Sequence, residues 1–126
     1  MDDKQYEISV SVRTAYLADR SEPSQSQYVF AYTVTLTNSG AVPAQLISRH
    51  WIITDANNTV QEVRGLGVVG QQPLLQPGEA FEYTSGATLA TPMGTMQGSY
   101  QMVGEDGRSF ETPIPQFTLS VPRVLH

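Results

Sequence analysis

Apolar residues recur at every second position through most of this chain, and this alternation restricts the fold more than any other sequence feature. The clearest runs are residues 6–16 and 28–36, where the intervening residues are mostly small or polar. A period of two places successive side chains on opposite faces of a β-strand. No segment of about ten residues has helical spacing. The pattern therefore predicts half-buried strands and excludes a predominantly helical protein.

Turn-forming residues divide the rest of the chain into short strands. Asn38-Ser39-Gly40 and Asp55-Ala56-Asn57-Asn58 are turns of this kind. We predict further strands at residues 46–54, 60–64, 81–84, 99–103 and 109–119, and a long loop rich in Gly, Thr and Met at 85–97. Pro113 and Pro115 mark the last strand as an edge strand or a bulged one. This spacing predicts a two-sheet antiparallel sandwich, and we expect a single domain over residues 1–126.

The string Leu75-x-Pro77-Gly78-x-x-Phe81 resembles the corner of fibronectin type III domains, although Phe81 lacks the hydroxyl of the usual tyrosine. Proline presets the backbone for a turn, and glycine allows the chain to reverse. Leu75 and Phe81 are then expected to pack inward. The predicted fold is therefore all-β, a fibronectin type III-like (immunoglobulin-like) antiparallel β-sandwich.

Composition excludes several classes of function. Without cysteine there is no disulfide, thiolate zinc site, iron–sulfur cluster or cysteine nucleophile. The net charge of -5 and the scattered positions of seven basic residues do not suit nucleic acid, which requires clustered positive charge. The apolar runs are too short to span a membrane. The acidic start, Met1-Asp2-Asp3-Lys4-Gln5, lacks the positive region of an export signal, so we expect a cytoplasmic protein.

The segment Gly65-Leu66-Gly67-Val68-Val69-Gly70 matches the G-x-G-x-x-G pattern of dinucleotide-binding folds. In those folds a helix must follow the glycines, but Pro73 and Pro77 would break a helix here. Close backbone packing or a bulge is therefore the favoured interpretation. Gly65, Gly67 and Gly70 are kept as candidate phosphate-binding residues, in case the segment binds a nucleotide pyrophosphate.

Catalytic and metal-binding signals are weak. Asp55 and Glu62 are the only acids placed near His50, and the other histidine, His126, is terminal. Because a metal site requires several convergent ligands, we predict no dedicated metal site and no cofactor. His50 is interpreted as a hydrogen-bonded strand residue, with a weak ligand or proton-sensitive group as the alternative. No Gly-x-Ser-x-Gly elbow or catalytic triad is found, so no catalytic residue is nominated.

One group of side chains suggests a binding surface. If Asn57 and Asn58 form a two-residue type I′ turn, Trp51 lies directly opposite Arg64, and Arg49 lies diagonal to Arg64. Two guanidinium groups beside the only tryptophan would form a cationic and aromatic surface for a protein partner or an anionic ligand. Arg49, Trp51 and Arg64 are therefore partner-binding candidates, together with the 85–97 loop. A purely structural Arg–Trp stack is the alternative.

Four strings carry a family resemblance. They are Ser48-Arg49-His50-Trp51-Ile52-Ile53-Thr54-Asp55, the glycine segment followed by Gln72-Pro73, Pro77-Gly78-Glu79-x-Phe81-x-Tyr83-x-Ser85-Gly86, and Met96-Gln97-Gly98-Ser99-Tyr100. With these motifs in this order over nearly its whole length, the chain resembles the ApaG (CorD) family.

The resemblance implies a small bacterial cytoplasmic protein with a fibronectin type III-like sandwich and no established catalytic activity or cofactor. It also implies a genetic link to cobalt resistance and magnesium efflux, and a gene neighbour that hydrolyses diadenosine tetraphosphate. Similar domains in eukaryotic F-box and polymerase-interacting proteins favour a protein-binding module. The alternatives are a small-ligand protein that binds Mg²⁺, Co²⁺ or a nucleotide pyrophosphate through Gly65-Leu66-Gly67-Val68-Val69-Gly70 and, third, a dinucleotide hydrolase.

Overall fold

The computed structural model describes residues 5–122, so the predictions that concern the first four and the last four residues lie outside the described part. Eight strands make up most of it. They are β1 (Ile8–Tyr16), β2 (Tyr28–Asn38), β3 (Ala44–Asp55), β4 (Val60–Leu66), β5 (Leu74–Leu75), β6 (Ala80–Leu89), β7 (Met93–Gly104) and β8 (Ser109–Ser120). Two three-residue 3₁₀ turns, Ala18–Arg20 and Pro23–Gln25, lie between β1 and β2.

The strands form two antiparallel sheets packed face to face. The smaller sheet has the order β1-β2-β6, and the larger has the order β4-β3-β7-β8, with β5 also pairing with β3. Apolar side chains from the facing sides make one core. An all-β sandwich is thereby confirmed, and no helix follows the glycine segment.

Strand β2 shows how the sequence produces this packing. Phe30, Tyr32, Val34 and Leu36 are buried, whereas the threonines between them lie toward the outer face. The predicted inward face of β2 is therefore confirmed, with Tyr28 half-buried at its start. A strand requires this alternation when one of its faces packs on the core and the other faces solvent.

The prolines lie where they cost few ladder hydrogen bonds. Strand β8 is an edge strand, and its register with β7 shifts between Met96 and Gly98, opposite Pro115. Both features agree with the prediction of an edge or bulged strand. At the corner, Gly78 has φ +86° and Leu75 is 4% exposed. The predicted turn and the inward packing of Leu75 are confirmed.

The predicted loop at 85–97 was wrong. Strand β6 continues to Leu89 and β7 begins at Met93, so that only residues 90–92 connect the two sheets. Ser85 and Ala87 are half-buried, whereas their neighbours Thr84, Gly86 and Thr88 are exposed. The period of two is present, but it is carried by small side chains. A pattern of small residues has low hydrophobic contrast, and for this reason the segment resembles a loop.

Two buried tyrosines join the sheets: the hydroxyls of Tyr83 on β6 and Tyr100 on β7 form a hydrogen bond in the core. Burial raises the pKa of both phenols, because ionisation would place a charge in the apolar interior. The folded state thus keeps protons that the unfolded chain releases near pH 10.

We therefore expect stability to be independent of these tyrosines below about pH 10 and to fall as the pH rises further. Each tyrosine that stays neutral in the fold contributes a slope of about 1.4 kcal/mol per pH unit. Denaturant unfolding at several alkaline pH values measures the slope. Tyr83→Phe removes one titrating group and should make the slope shallower; an unchanged slope would contradict this account.

Candidate functional site

The hairpin between β3 and β4 sets the geometry of the candidate residues. The Asp55 carboxylate accepts hydrogen bonds from the backbone N–H of Asn57 at 2.8 Å and of Thr59 at 3.0 Å. The backbone N–H of Asp55 donates to the Thr59 carbonyl at 3.1 Å, and Asn58 has φ +63°. The connection is therefore a three-residue loop that ends in a left-handed residue, a common hairpin form in which asparagine is tolerated.

The predicted register was wrong by one residue. Trp51 lies opposite Val63, and Arg64 lies opposite His50. The cause is the third loop residue, because an insertion of one residue shifts every cross-strand pair. Arg49 is paired with Gly65.

Trp51 does not contribute to an exposed surface, since its side chain is 2% exposed. Its ring packs against Tyr32 and Phe117 with centroid distances of 5.3 Å and 5.9 Å. The expected exposed stack of tryptophan and arginine is therefore absent. As a core residue, Trp51 supports the strand that carries Arg49 and His50.

Arg49 lies on the same side of β3 as Trp51 and is half-buried. Its Nη1 donates to the carbonyl oxygens of Leu66 at 3.1 Å and Gly67 at 2.8 Å. A Cβ on Gly65 would lie 2.8 Å from the guanidinium nitrogens, so a side chain at this position would displace the Arg49 guanidinium. The predicted close backbone packing is confirmed at Gly67, where a Cβ would overlap the backbone carbonyl oxygen of Gln71.

The rest of the glycine segment forms a tight turn. Val68 and Gln71 exchange backbone hydrogen bonds of 2.8 Å and 2.9 Å, and the two residues between them have positive φ, +43° for Val69 and +79° for Gly70. These features define a two-residue hairpin turn of type I′. Without a helix after it, the segment lacks the helix N-terminus that holds a pyrophosphate in dinucleotide folds.

An open cavity of about 510 Å³ lies beside β4 and extends over the outer face of the larger sheet. Four neighbouring strands line it, with residues Ser48, Arg49, His50, Arg64, Gly65, Leu66, Gln101 and Glu111. We call this the outer-face cavity. Arg64 is exposed and makes no ion pair within residues 5–122, whereas Leu66 is 75% exposed. The cavity thus combines a free cation with an apolar side chain.

Hydrogen bonds hold the floor of the outer-face cavity. Ser48 Oγ donates to Gln101 Oε1 at 2.7 Å, and Gln101 Nε2 donates to Ser99 Oγ at 2.9 Å. His50 Nε2 lies 3.5 Å from Glu62 Oε1, beyond a direct hydrogen bond. Hydrogen bonds therefore fix the side chains of Ser48 and Gln101, whereas His50 Nε2 makes none with residues 5–122.

A second cavity, of about 280 Å³, lies between the edges of the two sheets. We call it the inter-sheet cavity; its lining is Tyr32, Arg49, Leu66, Val68, Val69, Gly70, Tyr83 and Ser85. Burial raises the pKa of Tyr32, so this phenol stays neutral and can donate a hydrogen bond. Arg49 and Gly70 meet here, but Gly65 and Gly67 do not line the cavity.

Ser48, Gln101 and Glu111 were not among the predicted residues. They belong to β3, β7 and β8, which are far apart in the sequence and neighbours only in the sheet. Alternation alone could have shown that each side chain points outward, but strand order is needed to bring them together.

Two further observations bear on function. Among residues 5–122 no group of three or more His, Asp or Glu side chains is placed to hold a metal ion. No helix in the same range is long and apolar enough to cross a membrane.

Fold and site together define a small fibronectin type III-like β-sandwich domain with an open cavity on one outer face. The family model of the ApaG domain matches residues 18–104. The chain belongs to the ApaG family, which confirms the resemblance and leaves its function unspecified.

Individual relatives agree over nearly the whole chain. Protein ApaG of Thiobacillus denitrificans is 70% identical, with 98% of this chain and 97% of the relative covered. Protein ApaG of Ralstonia nicotianae is 66% identical, with 96% and 98% covered. The crystal structure of an ApaA protein from Bordetella pertussis has a TM-score of 0.92 and 65% identity, and covers 94% of this chain and 97% of that one.

Proposed function

We propose that the protein is a non-enzymatic binding module that holds a protein partner in the outer-face cavity. The observation that carries this proposal is the guanidinium of Arg64, which makes no ion pair with residues 5–122, beside the exposed side chain of Leu66. Both lie above a floor fixed by hydrogen bonds. Arginine next to an apolar residue is typical of the energetically important part of a protein interface. The expected partner segment presents a carboxylate to Arg64 and an apolar side chain to Leu66.

The shape of the outer-face cavity supports a protein partner. It is shallow and spread over four strands, whereas small-molecule sites usually enclose most of their ligand. The hydroxyl of Ser48, which lines the cavity, donates its hydrogen bond to the Gln101 side chain and so forms part of the floor. We place the module in divalent-cation physiology in the cytoplasm, the setting that the family resemblance implies.

Arg64→Ala is expected to weaken partner binding roughly 30-fold, because loss of a central arginine contact costs about 2 kcal/mol or more. The free energy of unfolding should change by less than about 1 kcal/mol, since the side chain is exposed and unpaired. Affinity capture from a bacterial lysate would supply the partner, and calorimetry with the purified partner would measure the affinity.

Arg20→Ala is the matched control, because Arg20 is also exposed but lies on the 3₁₀ turn before β2. It should leave both affinity and stability unchanged. Arg49→Ala separates structure from recognition, since it leaves two backbone carbonyls without their donor and should lower stability by about 1–3 kcal/mol. If Arg64→Ala leaves the affinity of the purified partner unchanged, the outer-face cavity is not the binding site.

The inter-sheet cavity supports a second candidate function, the binding of a small anionic ligand such as a nucleotide pyrophosphate. Arg49, Tyr32 and Ser85 offer a guanidinium and two hydroxyls beside the turn that contains Gly70. Calorimetry with pyrophosphate, Mg²⁺ and Co²⁺ distinguishes the two functions. Submillimolar binding that is lost in Ser85→Ala would favour the small-ligand function.

A further inference from the structure

Strand β4 is an edge strand without the usual protection. It pairs with β3 on one side and with no strand of residues 5–122 on the other. The opposite edge of the same sheet, β8, contains two prolines and a register shift, devices that prevent further pairing. Strand β4 contains neither proline nor lysine. Its free backbone groups are therefore available to another strand.

The side chains of β4 are unusually apolar for an exposed edge. Val60, Val63 and Leu66 are 56%, 37% and 75% exposed. They make up half of the six exposed large hydrophobic residues in the described part of the chain. Exposed apolar residues on an unpaired edge are typical of a site where another strand pairs.

The hydrogen-bond pattern shows which backbone N–H and C=O groups of β4 point away from β3, at the edge of the sheet. Asp55 bonds to Thr59 at one end of the hairpin, and Gly67 bonds to Ile47 at the other. In an antiparallel pair, bonded and non-bonded positions alternate. The residues at 61, 63 and 65 therefore bond to β3. The backbone N–H and C=O groups that point away from the sheet belong to Val60, Glu62, Arg64 and Leu66, and of these the Leu66 carbonyl already accepts a hydrogen bond from Arg49.

We infer that β4 pairs antiparallel with β4 of a second copy of this chain, about a two-fold axis at Val63. In this register Val60 lies opposite Leu66 of the partner subunit, and Glu62 lies opposite Arg64 of the partner subunit. Val63 meets its own counterpart on the axis. Each apolar residue of the edge gains an apolar neighbour, and each charge gains an opposite charge.

Symmetry makes this match specific. A two-fold interface brings every contact twice, so Glu62 and Arg64 form two cross-subunit ion pairs. Because each Leu66 carbonyl is already bonded to Arg49, the four edge residues of each copy would supply about six backbone hydrogen bonds. The pairing joins two sheets into one continuous sheet, in the same way that peptides add to exposed edges. The contact is small, so we expect a weak and reversible dimer.

Exchange of the two charges tests the pairing. Glu62→Arg alone and Arg64→Glu alone each convert two attractions into two repulsions and should lower the association constant about tenfold or more. The double variant Glu62→Arg/Arg64→Glu restores opposite charges and should associate within about threefold of the unaltered chain. Sedimentation equilibrium at up to about millimolar concentration measures the four association constants, those of the unaltered full chain, the two single variants and the double variant.

Glu105→Arg is the control, since it makes the same charge change as Glu62→Arg on an exposed turn away from β4. It should associate like the unaltered chain, and thermal unfolding would confirm that every variant is folded. A chain that remains monomeric at millimolar concentration, or a double variant as weak as the single ones, would overturn the proposal.

Single cysteines test the register independently, because the chain has no cysteine of its own. Val63→Cys places two thiols at a non-hydrogen-bonded pair, where the Cα separation of about 4.5 Å permits a disulfide. Gln61→Cys places them too far apart, since Gln61 would face Gly65 of the partner subunit. Mild oxidation should crosslink Val63→Cys rapidly and Gln61→Cys slowly; equal rates would exclude this register.

This association requires no other protein, so it is measured without the partner proposed above. A monomeric chain that still loses partner affinity in Arg64→Ala would refute the dimer alone. A dimer with no loss of partner affinity in that variant would refute the outer-face cavity alone.

Discussion

Replacing Phe30 by Ala is expected to lower the free energy of unfolding by about 3 to 5 kcal/mol. The Phe30 side chain is 1% exposed and lies in the core formed by the two sheets. Its ring is 5.3 Å from that of Tyr16 on the neighbouring strand β1. Removal of the ring loses buried apolar area and leaves a cavity that paired strands cannot close.

Denaturant unfolding measures this loss of stability. The slope of the unfolding free energy against denaturant concentration is compared between variants. Leu74→Ala is a suitable control, because Leu74 is also apolar but 56% exposed, and its truncation should change stability by about 0.5 kcal/mol or less. A loss below about 1 kcal/mol in Phe30→Ala would mean that the inward face of β2 is wrongly assigned.

The inward face of β2 was predictable because large apolar and polar residues alternate along it. The signal depends on contrast in size and polarity, which is strong for Val34 and Leu36 beside threonine. It is weak for Ser85 and Ala87 on β6, which have the same period but are small and only half-buried. A strand of small residues is stabilised by its neighbours rather than by its own side chains, so its sequence alone resembles a loop.

The register of the β3–β4 hairpin could not be derived from residue preferences. Asn57 and Asn58 suit a two-residue turn, and equally a longer turn that ends in a left-handed residue. The Asp55 carboxylate decides between them, because it accepts two backbone hydrogen bonds that close a three-residue loop. One extra residue moves Arg64 from the position opposite Trp51 to that opposite His50.

The residues of the candidate site were predicted only in part, because their placement also depends on the register of the β3–β4 hairpin. Arg49 and Arg64 were found as a pair, yet Arg49 turns inward to bind two carbonyls of its own chain while Arg64 points outward. Strand alternation places residues 49 and 64 on opposite faces once the register is known. The outer-face cavity also needs β7 and β8, and their order in the sheet is set by long-range pairing.

A second large effect is expected at Gly98, in the middle of the larger sheet. Gly98 lies between Trp51 on β3 and Ile114 on β8. A Cβ at this position would overlap the carbonyl oxygen of His50, and the next nearest atoms are also backbone atoms of β3. No side chain can rotate away, so an alanine requires β3 and β7 to separate.

Gly98→Ala is therefore expected to lower the free energy of unfolding by about 3 kcal/mol or more, despite the addition of only one methyl group. Gly86→Ala is the matched control, since Gly86 is also a strand glycine, but its Cβ would lie 3.5 Å from the nearest atom, the Phe30 carbonyl oxygen. That variant should be unchanged or more stable by up to about 1 kcal/mol, because alanine restricts the unfolded chain. Denaturant unfolding of both variants shows whether the loss of stability comes from the close backbone contact at Gly98 or from any side chain placed at a strand glycine. Equal stability of the two variants would show that β3 and β7 approach each other less closely at Gly98 than the structure indicates.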